Sequence, residues 1–468
     1  MMRVGEVSSR EVVTSYLARI DALNPGFNAI VSRRTDEEVM AEADAADRAL
    51  RSGDAVGPLH GLPHAIKDTA NTAGLRSTYG SPLFAYQIPT EDGLAVGRVR
   101  SAGAIFIAKT NVPEFGLGSH TYNPIFGATG NAWNPAFSAG GSSGGAAVAV
   151  AQRMLPLADG SDLGGSLRNP AGWNNVFGLR PSQGRVPAWP RRDAFFSQLV
   201  TEGPLARTAA DLALLLGVQS GEDIRAPLSL SGTPDWGDES TLDADLRGRR
   251  VAWLGDLGGH LPMEPGVLAV CEAALKIMNE VGGLTVDEVT PRFDWTRLWR
   301  CFVVLRQFGL GGDLAGAFAD PAVRELMKPE LQWEIAHALE LGVADVQRAV
   351  VDRTSWFDTV LALFAEFDYL ALPSAQVFPF PIGDTWPSSI AGRAMDSYHR
   401  WMEVAVPGTL SGCPVISLPA GFGGQHDLPM GLQMIGRPRD DLSLLQLARC
   451  WEQCAPWVAL SPPDPRAG

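Results

Sequence analysis

The sequence predicts an α/β fold, because helical and strand-like segments alternate through most of its length. Residues 250–289 carry the pattern most clearly. There 250–254 reads as a strand, 265–281 as a helix and 284–289 as a second strand, an order that implies a parallel pair. A chain of 468 residues suits one large α/β domain or two to three smaller ones.

Each element has a local reason. A helix over 9–23 opens on the capping box Ser8-Ser9-Arg10-Glu11, with Val12, Val13, Tyr16, Leu17 and Ile20 on one stripe. A second capping box, Thr35-Asp36-Glu37-Glu38, starts a helix that ends near Gly53; its acidic, alanine-rich body suggests a solvated outer face. From 57 to 187, short apolar runs such as 104–108 alternate with loops of Gly, Ser, Asn and Pro, a texture of buried strands feeding functional loops. Residues 221–245, rich in Ser, Gly, Asp and Pro, read as a surface crossing between two halves. The stretch 295–356 is mostly helical, 369–373 and 415–419 read as buried strands, and 442–454 as a terminal helix. No internal repeat, coiled coil or low-complexity tract is visible.

Composition excludes several function classes. Hydrophobic residues make up 46% and charged residues 19%, so the chain should fold throughout. With 38 basic against 52 acidic residues and a net charge of -14, a broad electrostatic grip on nucleic acid is not expected. No stretch approaches the ~18 apolar residues of a spanning helix, and the first ten residues lack a signal-peptide pattern, so the expectation is a cytoplasmic protein with no membrane partner. Little precedes the first helix, which leaves the native start open. Five scattered cysteines with no C-x-x-C pair argue against a disulfide framework or zinc knuckle; Cys450 and Cys454, one turn apart, read as small apolar residues on a helix. Neither a metal nor a cofactor is expected.

Two glycine-serine loops stand out, 138–145 with Gly140-Gly141-Ser142-Ser143-Gly144, and 159–168 with Gly164-Gly165-Ser166. Each precedes a segment that can be helical. Backbone N–H groups at such a turn lack an intrahelical partner and can converge on a developing negative charge, so either loop could form an oxyanion hole around a nucleophilic serine. The first loop also satisfies G-x-S-x-G, which any glycine-serine string of this kind does.

A serine hydroxyl needs a base. None of His60, His64, His120, His260, His337, His399 and His426 sits in a setting that announces a triad partner. Lysine is more informative: only Lys67, Lys109, Lys276 and Lys328 occur, against 34 arginines. Arginine keeps its proton in a protein, whereas a lysine buried among apolar groups can lose it near neutrality. Lys67 lies in the apolar, strand-like segment 61–68. Lys276 on an amphipathic helix and Lys328 in a polar stretch read as surface cations, and Lys109 as a second functional or structural lysine.

These segments resemble the amidase signature family. The resemblance rests on the segment around Lys67, the run 103–116 with Lys109-Thr110-Asn111-Val112-Pro113-Glu114-Phe115, both glycine-serine loops, and the stretches 407–422 and 428–433, in the family's order over about 8–452. It implies a single α/β/α domain over 1–468 with a central mixed, mostly parallel sheet flanked by helices, a catalytic core at about 57–220, and a variable helical substrate wall at about 290–365. It also implies amide hydrolysis by a Ser-cisSer-Lys triad: Ser166 as nucleophile, Ser142 after a cis peptide as bridge, Lys67 as base. Leu163, Gly164, Gly165 and Ser166 would supply oxyanion donors, Asp162 and Ser161 would brace the loop, and Arg168 would anchor the turn. Gly116 and Trp173 are candidate substrate contacts, with a core tryptophan the competing reading for Trp173. His64 stands where the family is more often aliphatic, Ala146 where it commonly has Ser or Glu, and Trp173 where smaller residues are frequent, so His64 and Trp173 could alter the pocket.

The expected substrate is a small, uncharged or apolar amide; carbamates, ureas and esters suit the same apparatus. Family members are often homodimers, which the resemblance extends to this chain. Three rivals remain open: the glutamine-hydrolysing component of a tRNA-dependent amidotransferase, an α/β-hydrolase-type esterase with a histidine base, and a catalytically dead binding protein.

Overall fold

The computed structural model describes residues 2–196, 198–232 and 236–463. A small three-stranded sheet comes first in the chain. Strand β1 (Ile30–Val31) runs antiparallel to β3 (Ile105–Thr110), and β2 (Pro63–Lys67) runs parallel to β3. Strands β4 (Tyr122–Asn123) and β5 (Gly127–Ala128) make a short hairpin. The large sheet then collects β6 (Leu157–Asp162), β7 (Phe177–Arg180), β8 (Thr201–Ala206), β9 (Arg250–Trp253), β10 (Thr285–Glu288) and β11 (Tyr369–Pro373). After a second small hairpin, β12 (Ser389–Ile390) and β13 (Arg393–Ala394), come β14 (Val415–Gly423) and β15 (Leu428–Ile435). Among the described residues the large sheet has eight strands, ordered β10-β9-β11-β15-β14-β7-β8-β6.

The expected α/β class and mixed sheet hold, but the sheet is mostly antiparallel, not mostly parallel. Only β10–β9 and β9–β11 pair in parallel. The other five neighbouring pairs run antiparallel. A parallel pair needs a crossover, which a helix supplies after β9; the short turn 424–427 between β14 and β15 reverses the chain directly. That turn places Gly424 at φ 70° and Asp427 at φ 49°, left-handed values that glycine and aspartate tolerate best.

Helices α1 (Ser9–Phe27) and α2 (Asp36–Ser52) both carry the expected capping boxes. The first runs about a turn beyond the apolar stripe and stops at Asn28, in the left-handed region with its N–H donating to Asn24 O. Then come α3 (Leu94–Ser101), α4 (Gly144–Ala151), α5 (Arg168–Trp173), α6 (Ala209–Gln219) and α7 (Val267–Glu280), the last bridging β9 and β10. Helices α8 (Trp295–Ala319), α9 (Pro321–Arg324), α10 (Pro329–Ala338) and α11 (Val343–Phe364) fill the segment expected to be helical, followed by α12 (Val406–Ser411) and α13 (Asp441–Cys454). No helix among the described residues is long and apolar enough to cross a membrane.

What positions the two serine loops is α4. Every residue of it is buried, against Ile105, Ile107 and the small residues around β6. Its glycines make that approach possible: a Cβ at Gly145 would stand 2.4 Å from Asn111 N and 2.6 Å from Ala29 O, both backbone atoms. The first loop therefore enters α4, the chain returns through β6, and the second loop enters α5 beside it. Arg168 and Asp162, at the base of that second loop, are fully buried as an ion pair of 3.0 Å.

Candidate active site

Lys67 is the last residue of β2, in register with Thr110 of β3, and is 1% exposed. Its backbone N–H donates to Asp159 Oδ2 at 3.1 Å, which ties the end of β2 to β6. Nζ lies 2.8 Å from Ser142 Oγ, 2.8 Å from Ser143 Oγ, 3.0 Å from Ser161 Oγ and 3.1 Å from Ser161 O. Burial strips water from the ammonium and pulls its pKa down to about 7, against the opposing pull of Asp162, Asp159 and Glu202. An amine at that value is half uncharged at neutral pH. A carbonyl only accepts, so one N–H of a neutral amine goes to Ser161 O; a second N–H and the lone pair remain for the surrounding hydroxyls.

The first loop holds Ser142 from several directions. Gly141–Ser142 is a cis peptide, as the resemblance implied. Gly141 N donates to Asn169 Oδ1 at 3.1 Å, Thr121 Oγ1 donates to Gly140 O at 2.8 Å, and Gly144 N donates to Thr121 Oγ1 at 3.2 Å. A Cβ at Gly116 would stand 3.3 Å from Ser142 Oγ, so the missing side chain keeps that hydroxyl open to the cavity.

The second loop hangs on Asp162. Its carboxylate accepts from Gly165 N at 2.9 Å and Leu167 N at 3.1 Å, and from Arg168 through Nη2 and Nε, both at 3.0 Å; Arg180 Nη1 lies 3.6 Å away. Burial alone would raise the Asp162 pKa, yet the two guanidiniums and the Gly165 N–H hold it well below the usual carboxylate range. Arg168 reaches further, to Gln433 Oε1, Thr409 Oγ1 and Ala405 O, so it anchors the turn and does not line the cavity that Ser166 opens onto. Ser143 N donates to Ser166 O at 3.2 Å and joins the two loops. No hydrogen bond links Ser142 Oγ to Ser166 Oγ, but both serines open onto one cavity of about 560 Å³ together with Lys67. Catalytic hydrogen bonds are commonly loose before substrate binds.

That cavity is lined by polar groups, among them Lys67, Ser142, Ser161, Ser166, Asp159 and Glu202, and by apolar side chains that include Phe84, Phe115, Leu117, Val200, Leu310 and Leu314. Leu310 and Leu314 come from α8, inside the segment expected to supply a substrate wall. Gly116 lines the cavity as well.

Several sequence expectations need correction. Trp173 does not face the cavity: it is 0% exposed, stacked on Trp401 at 5.6 Å, and its Nε1–H donates to Val377 O at 3.2 Å. The core reading holds because α5 turns that side chain away from the loop. Gly165 is not a spare oxyanion donor, since Asp162 already takes its N–H; among the described residues the N–H groups of Leu163, Gly164 and Ser166 meet no acceptor in the chain. Lys328 is no surface cation. It is buried, its Nζ donates to Leu117 O at 2.7 Å and sits 5.0 Å from the Tyr122 ring centre. Lys109 is structural, with Nζ donating to Ala70 O at 2.6 Å and Thr72 Oγ1 at 2.8 Å. His64 stays behind the cavity wall, 3.0 Å from Asp159 Oδ1 through Nε2.

No histidine hydrogen-bonds Ser142, Ser143 or Ser166 among the described residues. His399 shares a narrow cleft with Ser166, but its ring nitrogens have no partner, aromatic rings surround it, and burial pulls its pKa down to about 3. Among the described residues no group of three or more His, Cys, Asp or Glu is placed to hold a metal ion. Sequence reasoning missed Ser143 as a second hydroxyl on Lys67, and Asp159 and Glu202 as carboxyls in the cavity. The adjacency of Ser143 to Ser142 was the available signal; neither acid carries a motif.

The sequence model of the Amidase family matches residues 11–445. An acylamidase of Rhodococcus erythropolis is 35% identical over 470 residues, covering 98% of this chain and 94% of that protein. The A subunit of the glutamyl-tRNA(Gln) amidotransferase of Thermus thermophilus is also 35% identical, over 483 residues, with 98% and 96% covered. Among solved structures, a bacterial aryl acylamidase of the amidase signature enzymes superposes with a TM-score of 0.89 at 30% identity, over 97% of this chain and 94% of that one. A 6-aminohexanoate cyclic dimer hydrolase gives 0.87 at 26% identity, over 98% and 96%.

Proposed function

Because this chain belongs to the amidase signature family and is a hydrolase of carbon–nitrogen amide bonds, we propose that it cleaves small, uncharged amides through an acyl-enzyme on Ser166, with Ser142 and Lys67 as the proton relay. The observation that carries this reading is a buried lysine with Nζ 2.8 Å from Ser142 Oγ, lining one cavity together with Ser142 and Ser166.

Ser166 Oγ attacks the carbonyl carbon as its proton passes to Ser142 and that of Ser142 passes to the Lys67 lone pair. The carbonyl oxygen becomes an oxyanion facing the N–H groups of Leu163, Gly164 and Ser166; loss of one such donor typically costs ~10² to 10³ in rate. The C–N bond breaks as Ser142 delivers a proton to the departing nitrogen and recovers one from Lys67. Water then enters by the same relay and releases the acid, which restores the three residues. The apolar wall of Leu310, Leu314 and Phe115 supports an apolar acyl or aryl group, in keeping with the acylamidase names of the relatives.

The glutaminase reading has one specific observation in its favour, the 33% to 35% identity to several amidotransferase A subunits over almost the whole chain. Glutamine would need a cation to receive its α-carboxylate. Arg306, at the cavity, is already committed to Glu334 and Tyr398, and Arg192 also has a partner within the chain.

A panel of aryl, alkyl and amino-acid amides, glutamine included, tests both readings on wild type, Lys67→Ala and Ser166→Ala. Hydrolysis of uncharged amides, abolished in both variants, is the expected result. Activity confined to glutamine, or an amidase activity that survives Lys67→Ala, would overturn it.

A further inference from the structure

Glu202 is a carboxyl in the cavity that the relay does not use. It sits on β8 directly across from Ser161 of β6, so the two side chains leave the sheet on the same face, their Cβ atoms about 4.5–5.5 Å apart. Ser161 Oγ is 3.0 Å from Lys67 Nζ, which places Glu202 on the lysine side of the site. Asp159, two residues along β6 and on the same face, is occupied: it takes the Lys67 N–H and lies 3.0 Å from His64 Nε2. The Glu202 carboxyl, by contrast, takes no hydrogen bond from any described residue and forms part of the cavity wall.

Glu202 is partly exposed to the cavity, so water can serve its carboxyl in the free enzyme; a hydrocarbon ligand that displaces this water leaves the carboxyl without a donor, which is unfavourable. Burial raises its pKa to about 7; Arg191 and Lys67 pull the other way, and Asp159 adds to the rise. Position fixes what it can meet. The departing nitrogen must lie on the Ser142–Lys67 side of Ser166, since Ser142 returns the proton to it, and Glu202 flanks that side.

We propose that Glu202 is a specificity residue that accepts a hydrogen bond from an uncharged amino group carried on the leaving amine, so that amides of amino-substituted anilines are preferred to those of hydrocarbon anilines. This rests on the amide-hydrolysis reading above.

The test compares the 4-aminoanilide and the 4-methylanilide of one carboxylic acid, which differ in NH₂ against CH₃ at nearly constant size. The ratio of their kcat/KM values in wild type should fall about tenfold or more in Glu202→Leu and less in Glu202→Gln, taking the ratio in each enzyme so that the intrinsic reactivities cancel. A ratio unchanged in Glu202→Leu overturns the proposal. Should that variant fail to fold, inhibition of wild type by the two product amines gives the answer: 1,4-diaminobenzene is expected to bind at least several-fold tighter than 4-methylaniline, and equal inhibition overturns the proposal. If wild type hydrolyses neither anilide, the amide-hydrolysis reading fails for this class, while calorimetry of the two amines on Ser166→Ala still decides the role of Glu202.

Discussion

The acid limb of the pH–rate profile should report the Lys67 amine. Burial holds this group at about 7 rather than 10.5, which corresponds to roughly 5 kcal/mol against its charged form. Only the neutral amine can draw the proton from Ser142, so kcat/KM should rise with pH through about 7 and level off above about 8. With one group titrating, about half of the enzyme is competent at pH 7 and about a tenth at pH 6. Steady-state kcat/KM for a neutral anilide, measured from about pH 5 to pH 9, reads this limb. Because Glu202 also titrates near 7, the same profile in Glu202→Gln identifies the group. That carboxylate favours the ammonium, so removing it should shift the limb to lower pH and leave it intact. A profile flat below pH 7 refutes the reasoning, and so does a limb that vanishes in Glu202→Gln.

Three further outcomes follow from the same geometry. The lowered lysine pKa makes the unfolded chain bind the extra proton between about 7 and 10.5, so the stability of wild type relative to Lys67→Met should rise across that window in urea titrations; a difference independent of pH contradicts the burial of the charge. Asp162→Asn leaves Arg168 and Arg180 buried without their counter-charge and should cost about 3–5 kcal/mol of stability as well as activity, read from the denaturation midpoint. Leu310→Ala should widen the cavity and improve kcat/KM for bulkier acyl groups relative to acetyl, whereas Trp173→Phe, which touches only the core, should lower the unfolding midpoint without altering that preference.

Much of the site was legible because local chemistry announced it. Ser8-Glu11 and Thr35-Glu38 satisfy their own backbone groups, so the two capping boxes fix their helices from short-range sequence alone. Lys67 stood out as an amine in an apolar strand segment, and its burial followed. Long-range placement was harder to read. The strands of the large sheet are individually recognisable, yet their direction depends on connections such as the tight turn 424–427, which periodicity does not encode. Lys328 looks solvent-exposed in its polar stretch, but the Leu117 carbonyl and Tyr122 ring, far away in the chain, and the carboxylates of Glu114 and Glu330 receive it in the interior. Trp173 follows Ser166 closely in sequence, but the turn of α5 sends it into the core. Gly165 lost its spare N–H to a carboxylate three residues back, a bond invisible until the loop is folded. Glu202 came beside Lys67 through the register of β8 on β6, which no spacing in the chain records.

The most direct measurement is the mass of the covalent adduct formed with a serine-reactive fluorophosphonate, mapped by peptide sequencing on wild type and on Lys67→Ala. A single adduct on Ser166, formed far more slowly when residue 67 is alanine, is the outcome expected of a nucleophile activated by a neutral amine through Ser142. Modification at Ser142 or Ser143 instead, or labelling of Ser166 at an unchanged rate without the lysine, would contradict it.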